Sequence, residues 1–261
     1  MHVEERGVGR PVVLVHGWGA GAATWSRQLE SLADQFRVLA PDLPGFGSTP
    51  PLPRSDAAGF SGALRGLIDG ERLSDVLLVG WSMGGLVALD YAARFDCHAL
   101  AGLVIADVAP RARAAADWPV EADFGRRVEE WTQRWTTERD AVVREVTELA
   151  FVDPGAHCAA VEHLVDEAMR ADAGAALEAF LNLIECDFRD ALGDIRVPML
   201  LLFGGASTST SPRDAETFAA LAPDARLVVF AGCGHALMIE EPQRFDAELR
   251  AFARSLATAS V

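Results

Sequence analysis

One serine lies in a pattern that is typical of an activated nucleophile. Residues 80–84 read Gly-Trp-Ser-Met-Gly, and this G-x-S-x-G pattern follows an apolar run at residues 76–79 and precedes an Ala- and Leu-rich segment. The order predicts a sharp turn from a strand to a helix, with a strained backbone at Ser82 and small residues where strand and helix meet. Backbone N–H groups at the helix N-terminus would then stabilise negative charge that develops beside the hydroxyl. Because so short a pattern also occurs by chance, the alternative is that Ser82 only caps a helix.

A histidine near the end of the chain is the matching candidate for a general base. His235 ends the loop Gly232-Cys233-Gly234-His235, which follows a strand-like run at residues 226–230. Such a histidine either takes the proton of a serine nucleophile or is an ordinary loop residue. We favour the first role, because serine, acid and histidine in this order along the chain match one known order of a catalytic triad. His16, in a glycine-rich loop after the first apolar run, is assigned to loop packing.

The elements that must position these side chains alternate between strand and helix. Short apolar runs rich in Val, Leu and Ile are separated by segments with helical spacing, which predicts a mostly parallel sheet with helices on both faces. Open sheets of this kind carry their sites at the carboxyl ends of the strands, where the loop at residues 16–21, Ser82 and His235 would meet. The predicted strands cover residues 11–15, 37–40, 76–79, 100–106, 198–203 and 226–230.

The alternation stops in the middle of the chain. Residues 111–190 are charged, have helical spacing and contain no strand-like apolar run. We therefore predict a fold with a core at residues 1–110, an inserted helical cap at 111–190, and the second part of the core at 191–261. The cap would lie over the carboxyl ends of the strands.

Composition excludes several classes of function. The 261 residues have a net charge of -15 and all 23 basic residues are arginine, which argues against binding of nucleic acid. The four cysteines are widely spaced without a C-x-x-C pair, and the histidines show no metal-ligand spacing, so we expect no metal or other cofactor. The first residues lack an apolar signal region, and no run approaches the length of a membrane span. We expect a cytoplasmic monomer that does not bind a membrane.

The motifs together resemble the α/β-hydrolase family over nearly the whole chain. They are His16-Gly17-Trp18-Gly19, Asp42-Leu43-Pro44-Gly45-Phe46-Gly47-Ser48, Gly80-Trp81-Ser82-Met83-Gly84-Gly85 and Gly234-His235. The resemblance implies the α/β-hydrolase fold with a helical cap. It also implies that Ser82 is the nucleophile, that His235 is the base and then the acid, and that the backbone N–H groups of Trp18 and Met83 form the oxyanion hole.

Within this family the chain most resembles the carboxylesterases of biotin synthesis that cleave the methyl ester of a pimeloyl group held on acyl carrier protein. The resemblance rests on the loop at residues 15–19, on residues 80–82, on Asp117-Trp118-Pro119 and on Asp187-Phe188-Arg189. It implies the same substrate, hydrolysed through an acyl-enzyme. The alternatives are a general short-chain carboxylesterase, or a member of the family that binds ligands or signals without catalysis.

The third member of the triad is the point at which the chain departs from the family. The family places its acid where this chain has Ser207, and no carboxylate follows before Asp214. Asp107, at the end of the preceding predicted strand, is the preferred substitute, and its alternative role is to cap the entrance to the helical block. Asp214 or Glu216 could serve as the acid only if its side chain folded back towards His235. A Ser–His dyad without an acid is the remaining possibility.

The cap is expected to contribute the walls of an acyl pocket. Val146 and Phe151 belong to an apolar stretch with helical spacing, which either packs on the core or roofs a pocket together with Trp18 and Trp81. Cap arginines are available to meet an acidic carrier protein, although glutamates and aspartates are interleaved with them and favour pairs within the helix. These arginines are Arg126, Arg127, Arg134, Arg139 and Arg144.

Overall fold

A seven-stranded sheet forms the centre of the molecule. The computed structural model describes residues 1–114, 118 and 124–258. The strands are β1 Val3–Arg6, β2 Arg10–Val15, β3 Phe36–Pro41, β4 Val76–Trp81, β5 Leu100–Ala106, β6 Met199–Gly204 and β7 Ala225–Phe230. Their order in the sheet is β1-β3-β2-β4-β5-β6-β7, and every pair is parallel except β1 with β3. The predicted, mostly parallel sheet is therefore confirmed.

The sequence pattern predicts no strand at β1, which forms an edge of the sheet. Its residues, Val-Glu-Glu-Arg, show neither an apolar run nor a clear alternation. They pair antiparallel with β3, in a register that places Val3 opposite Pro41. This strand therefore depends on hydrogen bonds to a neighbour distant in sequence rather than on its own residue pattern.

Helices cover both faces of the sheet, as two positions of β5 show. The helices are α1 Ser26–Leu32, α2 Ala57–Gly70, α3 Met83–Arg94, α4 Phe124–Glu148, α5 Cys158–Arg170, α6 Ala173–Glu185, α7 Pro212–Leu221, α8 Leu237–Glu240 and α9 Pro242–Thr258. A Cβ atom at Gly102 would meet Phe252 and Leu256 of α9, whereas Ile105 lies against Gly85 of α3. Positions 102 and 105 point to opposite faces of a strand, so α3 and α9 lie on opposite faces.

The helical segment predicted at residues 111–190 contains α4, α5 and α6, and α4 packs against both of the others. Among the described residues, 3₁₀ segments are found at Ala22–Trp25 and at Arg189–Asp194, the second of which overlaps the end of this segment. The backbone of Arg111 forms an isolated antiparallel bridge with Asp187, where the chain leaves the sheet and returns to it. Of the motif Asp117-Trp118-Pro119, only Trp118 is among the described residues. The division into core and cap at residues 110 and 190 stays a prediction.

Within the described ranges, no helix has both the length and the apolar character required to cross a membrane.

Candidate active site

Ser82 lies in a strained turn between β4 and α3. Its φ of 55° and ψ of -121° are unusual for a residue with a side chain, and its backbone N–H donates to the carbonyl oxygen of Ala106 over 2.9 Å. A Cβ atom at Gly80 would collide with the backbone of Gly84, and one at Gly84 would lie 2.6 Å from the carbonyl oxygen of His16. Both glycines are therefore required by close backbone approach, which is the physical content of the G-x-S-x-G pattern.

His235 lies in the loop after β7 and faces the same cleft as Ser82. Its Nδ1 is 2.6 Å from Oδ2 of Asp107, and both side chains are buried. The indole Nε1 of Trp81 donates a hydrogen bond of 2.9 Å to the carbonyl oxygen of His235. The residue that precedes Ser82 thus anchors the backbone of the histidine across 154 positions of the chain. Because Nδ1 is occupied by the carboxylate, Nε2 is the ring nitrogen left to exchange protons.

The carboxylate of Asp107 is held from several sides at the end of β5. Its Oδ1 accepts from the backbone N–H of Gly204 over 2.9 Å, and its Oδ2 accepts from the Ser207 hydroxyl over 2.6 Å as well as from His235. The residue has no exposed surface, and its φ of 49° turns the chain sharply at the strand end. These bonds leave the carboxylate little freedom to rotate away from the imidazole.

The other carboxylates considered for this role are used elsewhere. Asp214 forms a capping box with Ser211 at the start of α7, and Glu216 is exposed on the same helix. Ser207, at the position where the family has its acid, bonds to Asp107 rather than to the imidazole. Of the alternatives left open by the sequence, the structure brings only Asp107 into contact with His235 within its described residues.

The glycine-rich loop after β2 approaches the turn at Ser82 closely. A Cβ atom at Gly17 would lie 3.2 Å from Cβ of Ser82 and 2.9 Å from Cε3 of Trp81. This position is therefore suited to present backbone N–H groups to an oxygen bound at Ser82. Met83, as the first residue of α3, has a backbone N–H without an acceptor inside the helix.

His16 orients this loop through two hydrogen bonds. The backbone N–H of Leu43 donates to its Nε2 over 2.9 Å, so the proton of the neutral ring is on Nδ1, which donates to the carbonyl oxygen of Gly17 over 2.8 Å. Burial lowers the pKa of His16, which keeps the ring neutral. Because the peptide unit is planar, a Gly17 carbonyl held towards His16 directs the N–H of Trp18 to the opposite side. His16 is thus buried in the loop as predicted, and it also has an orienting role that the sequence pattern does not reveal.

The cleft in front of Ser82 is apolar and has aromatic walls. Trp18 stacks on Phe180 with a centroid distance of 4.2 Å, and Phe180 stacks in turn on Trp131 at 5.7 Å. The cleft encloses about 650 Å³, part of it open to solvent. Among its described lining residues, Arg127 is the one Arg, Lys, Asp or Glu.

The structure brings most, but not all, of the predicted pocket residues together. Trp18, Trp81 and Val146 line the cleft with Ser82. Phe151 does not line it: its ring stacks on His157 at 5.4 Å and borders a separate surface depression. Phe180 and Leu183 of α6 also line the cleft, which the sequence analysis did not predict. The signal that could have shown it is the apolar spacing of α6 at positions 176, 180 and 183.

The cap arginines are engaged within the chain itself. Arg126 pairs with Glu130, Arg134 with Glu138 and Glu145, and Arg144 with Glu148 and Glu162. Arg139 donates to the carbonyl oxygens of Ala168 and Ala171 and lies over the ring of Trp135. Arg127 donates to the carbonyl oxygen of Thr208 over 2.6 Å. Arg126, Arg134 and Arg144 thus each pair with a glutamate four positions further along the helix, as the spacing suggests, whereas Arg127 and Arg139 bond to backbone carbonyl oxygens.

Comparisons with known proteins identify relatives of the whole chain. A family model described as "Alpha/beta hydrolase family" matches residues 12–248. A pimeloyl-[acyl-carrier protein] methyl ester esterase of Aromatoleum aromaticum is 34% identical, over 89% of this chain and 93% of that protein. A protein of the same description from Chromobacterium violaceum is 30% identical, over 99% and 98% of the two chains.

Solved structures resemble the whole molecule. An esterase from Thermogutta terrifontis superposes with a TM-score of 0.85 at 28% identity, over 98% of this chain and 93% of that one. An esterase from Exiguobacterium antarcticum superposes with a TM-score of 0.90 at 24% identity, over 97% and 95%. At 24% identity, the similarity to the Exiguobacterium antarcticum esterase is evidence for the shared fold only.

Proposed function

The chain belongs to the α/β-hydrolase family, and we propose from this premise that it is a serine carboxylesterase with Ser82, His235 and Asp107 as its catalytic triad. The observation that carries the proposal is the contact of 2.6 Å between Asp107 and the imidazole that faces the cleft of Ser82. A buried carboxylate in this position orients the ring and stabilises the imidazolium that forms during catalysis.

Acylation begins when Oγ of Ser82 attacks the ester carbonyl carbon. Nε2 of His235 takes the hydroxyl proton, and the tetrahedral oxyanion accepts hydrogen bonds from the backbone N–H groups of Trp18 and Met83. The imidazolium then gives the proton to the oxygen of the leaving alcohol, and the acyl group remains on Ser82. Loss of one oxyanion donor typically costs about 3 kcal/mol of transition-state stabilisation.

Deacylation repeats these steps with water as the nucleophile. Nε2 of His235 takes a proton from water, and the oxygen attacks the acyl carbon. Collapse of the second tetrahedral intermediate returns the proton to Oγ of Ser82 and releases the carboxylic acid. Asp107 takes up no proton in either half of the reaction; it orients the imidazole and stabilises the positive charge on it.

The leading candidate for the substrate is the methyl ester of a pimeloyl group on acyl carrier protein. Support comes from the relatives at 34% and 30% identity, whose names state this activity, and from the apolar cleft between Trp18, Trp131 and Phe180, which suits a medium-length acyl chain.

A small carboxylic ester without a carrier protein is the second candidate. Acyl carrier protein is acidic, and this chain has a net charge of -15. Within the described part of the cap, Arg126, Arg134 and Arg144 are paired with glutamates of the same cap. Both features weaken electrostatic attraction to an acidic carrier.

A ligand-binding or signalling protein without catalysis is the alternative suggested by the serine at position 207, where the family has a carboxylate. The hydrogen bond between Asp107 and His235 weighs against that alternative, since it gives the imidazole an acidic partner from another strand.

Hydrolysis of a short-chain p-nitrophenyl ester by the purified protein and by Ser82→Ala tests the enzyme class. We expect rapid release of p-nitrophenol from the unchanged protein and a loss of at least about a thousandfold in kcat for the variant. A signalling protein would show no difference between the two.

The substrate is tested separately by growth of a biotin auxotroph that lacks its own methyl ester esterase. Rescue by the unchanged gene, with Ser82→Ala as the matched control, supports the pimeloyl ester. A purified protein that hydrolyses p-nitrophenyl esters without rescuing growth supports the small ester instead.

A further inference from the structure

One arginine of α4 faces the cleft. Phe124, Arg127 and Trp131 lie three or four positions apart on this helix, so they share one of its faces, and all three line the cleft with Ser82. The rings of Phe124 and Trp131 meet edge to face, with 6.0 Å between their centroids. The side chain of Arg127 therefore belongs to the helix face that forms a wall of the cleft.

Arg127 lies where the cleft meets the surface of the molecule. Together with Trp131, Leu149 and Thr208, it lines both the cleft and the surface depression that Phe151 borders. One N–H group of its guanidinium donates to the carbonyl oxygen of Thr208 over 2.6 Å, which fixes the position of the group. An arginine side chain has five N–H donors, so four remain for a further partner.

The acidic residues around Arg127 are paired with other arginines. Three glutamates line the depression, and each forms an ion pair with a different arginine of α4. The pairs are Glu130 with Arg126, Glu145 with Arg134 and Glu148 with Arg144. Within the part of the chain that the structure describes, no carboxylate forms an ion pair with Arg127. Its positive charge at the cleft is therefore available to an anion from outside the chain.

A guanidinium in this setting indicates the chemistry of the ligand. Arginine binds a carboxylate through two parallel hydrogen bonds, and such charge-assisted bonds strengthen where water is partly excluded. A neutral acyl chain requires no cation, because apolar walls are sufficient for it. A carboxylate at the far end of the chain, by contrast, leaves water at a high cost unless a cation pairs with it.

We propose that Arg127 binds a carboxylate at the far end of the acyl group, so that the preferred substrate is a monoester of a dicarboxylic acid. The inference rests on the proposed esterase and narrows its second candidate, the small ester without a carrier protein. With the ester carbonyl at Ser82, the carboxylate reaches Arg127 through a methylene chain that lies along the aromatic wall. In an ester held on a carrier, that end of the acyl group is attached to the carrier and has no free carboxylate.

Two methyl esters that differ in charge test this role. Monomethyl pimelate is an anion at neutral pH, whereas the primary amide of the same ester has the same length without the charge. We expect the unchanged protein to hydrolyse the anion with a KM about ten- to hundredfold below that of the amide, the effect of one charge-assisted pair. Arg127→Gln should raise the KM of the anion to that of the amide. The kcat should stay unchanged, because substrate and transition state make this contact equally.

Arg196→Gln is the matched control, since it removes the same charge at a distance. Arg196 is exposed, pairs with Asp194 and precedes β6, at the end of the parallel strands opposite to Ser82. This variant should retain both KM values. Arg127→Lys, which keeps the charge but loses the two parallel donors, should retain part of the preference for the anion.

Binding to Ser82→Ala is a second readout that needs no turnover. Tryptophan fluorescence reports on the cleft, because Trp18, Trp81 and Trp131 line it. Monomethyl pimelate should bind Ser82→Ala about ten- to hundredfold more tightly than the amide does, and the two should bind equally once Arg127→Gln is added.

Equal affinities of the two esters for Ser82→Ala would overturn the inference, and so would an equal loss of preference in Arg196→Gln, because overall charge rather than Arg127 would then be responsible. Failure of the proposed function is recognised separately, by the absence of Ser82-dependent hydrolysis of either ester. The binding comparison decides the role of Arg127 in that case too.

Discussion

Asp107 Oδ2 accepts a hydrogen bond of 2.6 Å from Nδ1 of His235, although 128 positions separate the two residues in the chain. The same oxygen accepts from the hydroxyl of Ser207 over 2.6 Å. One carboxylate oxygen thus joins the ends of β5 and β6 to the loop after β7, and the chemistry proposed for Ser82 depends on this junction.

Asp107→Asn should lower kcat by about a thousandfold to ten-thousandfold for a p-nitrophenyl ester, because an amide favours the wrong tautomer of the imidazole and cannot stabilise its charged form. The measurement is kcat across pH 5 to 9, with thermal unfolding as the check that the variant is folded. Unchanged turnover would remove Asp107 from the triad.

A carboxylate at position 207 should partly replace the one at 107. The Ser207 hydroxyl lies 2.6 Å from the oxygen that His235 contacts, so an aspartate side chain there reaches the same imidazole. We expect Asp107→Ser combined with Ser207→Asp to recover at least about tenfold of the kcat lost in Asp107→Ser alone. If the double variant is no faster than the single one, a carboxylate at position 207 cannot act as the partner of His235 in place of Asp107.

Gly84→Ala should destabilise the protein by about 2 kcal/mol or more, as a new methyl group would press on backbone carbonyl oxygens of Val15 and His16 that cannot move. The measurement is the urea midpoint of unfolding. Gly62→Ala in α2 is the matched control, because nothing lies within 4 Å of its new Cβ atom.

The helix around Gly62 should gain about 0.5 to 1 kcal/mol from the control substitution, since alanine has the higher helix propensity. Equal effects of the two substitutions would contradict the close approach seen at Gly84.

Glu167 should make stability depend on pH. It accepts a hydrogen bond of 2.9 Å from the Thr24 hydroxyl, which connects α5 to the loop after β2, and His163 lies 3.7 Å away. Burial raises the pKa of Glu167, and the nearby carboxylate of Asp42 raises it further, while Thr24 and His163 act in the opposite direction.

A carboxyl group with a raised pKa in the folded state stabilises the fold fully at pH values below its unfolded pKa, and this contribution is lost as pH rises through the folded pKa. We therefore expect Glu167→Gln to gain in melting temperature relative to the unchanged protein as pH rises above about 4.5. Glu216→Gln, an exposed carboxylate, is the control. If the melting temperatures of Glu167→Gln and of the unchanged protein change with pH in the same way, the raised pKa of Glu167 is contradicted.

The fold, and the serine and histidine proposed as catalytic, could be predicted from the sequence because their signals are local. Buried parallel strands are apolar runs, and the runs that predict β2 to β7 coincide with strands of the sheet. The backbone contacts around Gly80 and Gly84 admit no side chain, so the turn that carries Ser82 is visible in the residue pattern itself. Strand β1 lacked such a signal, as its polar residues form a strand only through pairing with β3.

Only the tertiary structure could choose among Asp107, Asp214 and Glu216 as the partner of His235. The choice depends on the direction in which each side chain leaves its element, and no local pattern records a contact across 128 positions. The separation of Phe151 from the cleft and the aromatic wall at Phe180 likewise depend on packing between distant parts of the chain. Burial and hydrogen bonding at these residues arise from packing between distant segments, whereas strands, helices and tight turns follow from neighbours in the chain.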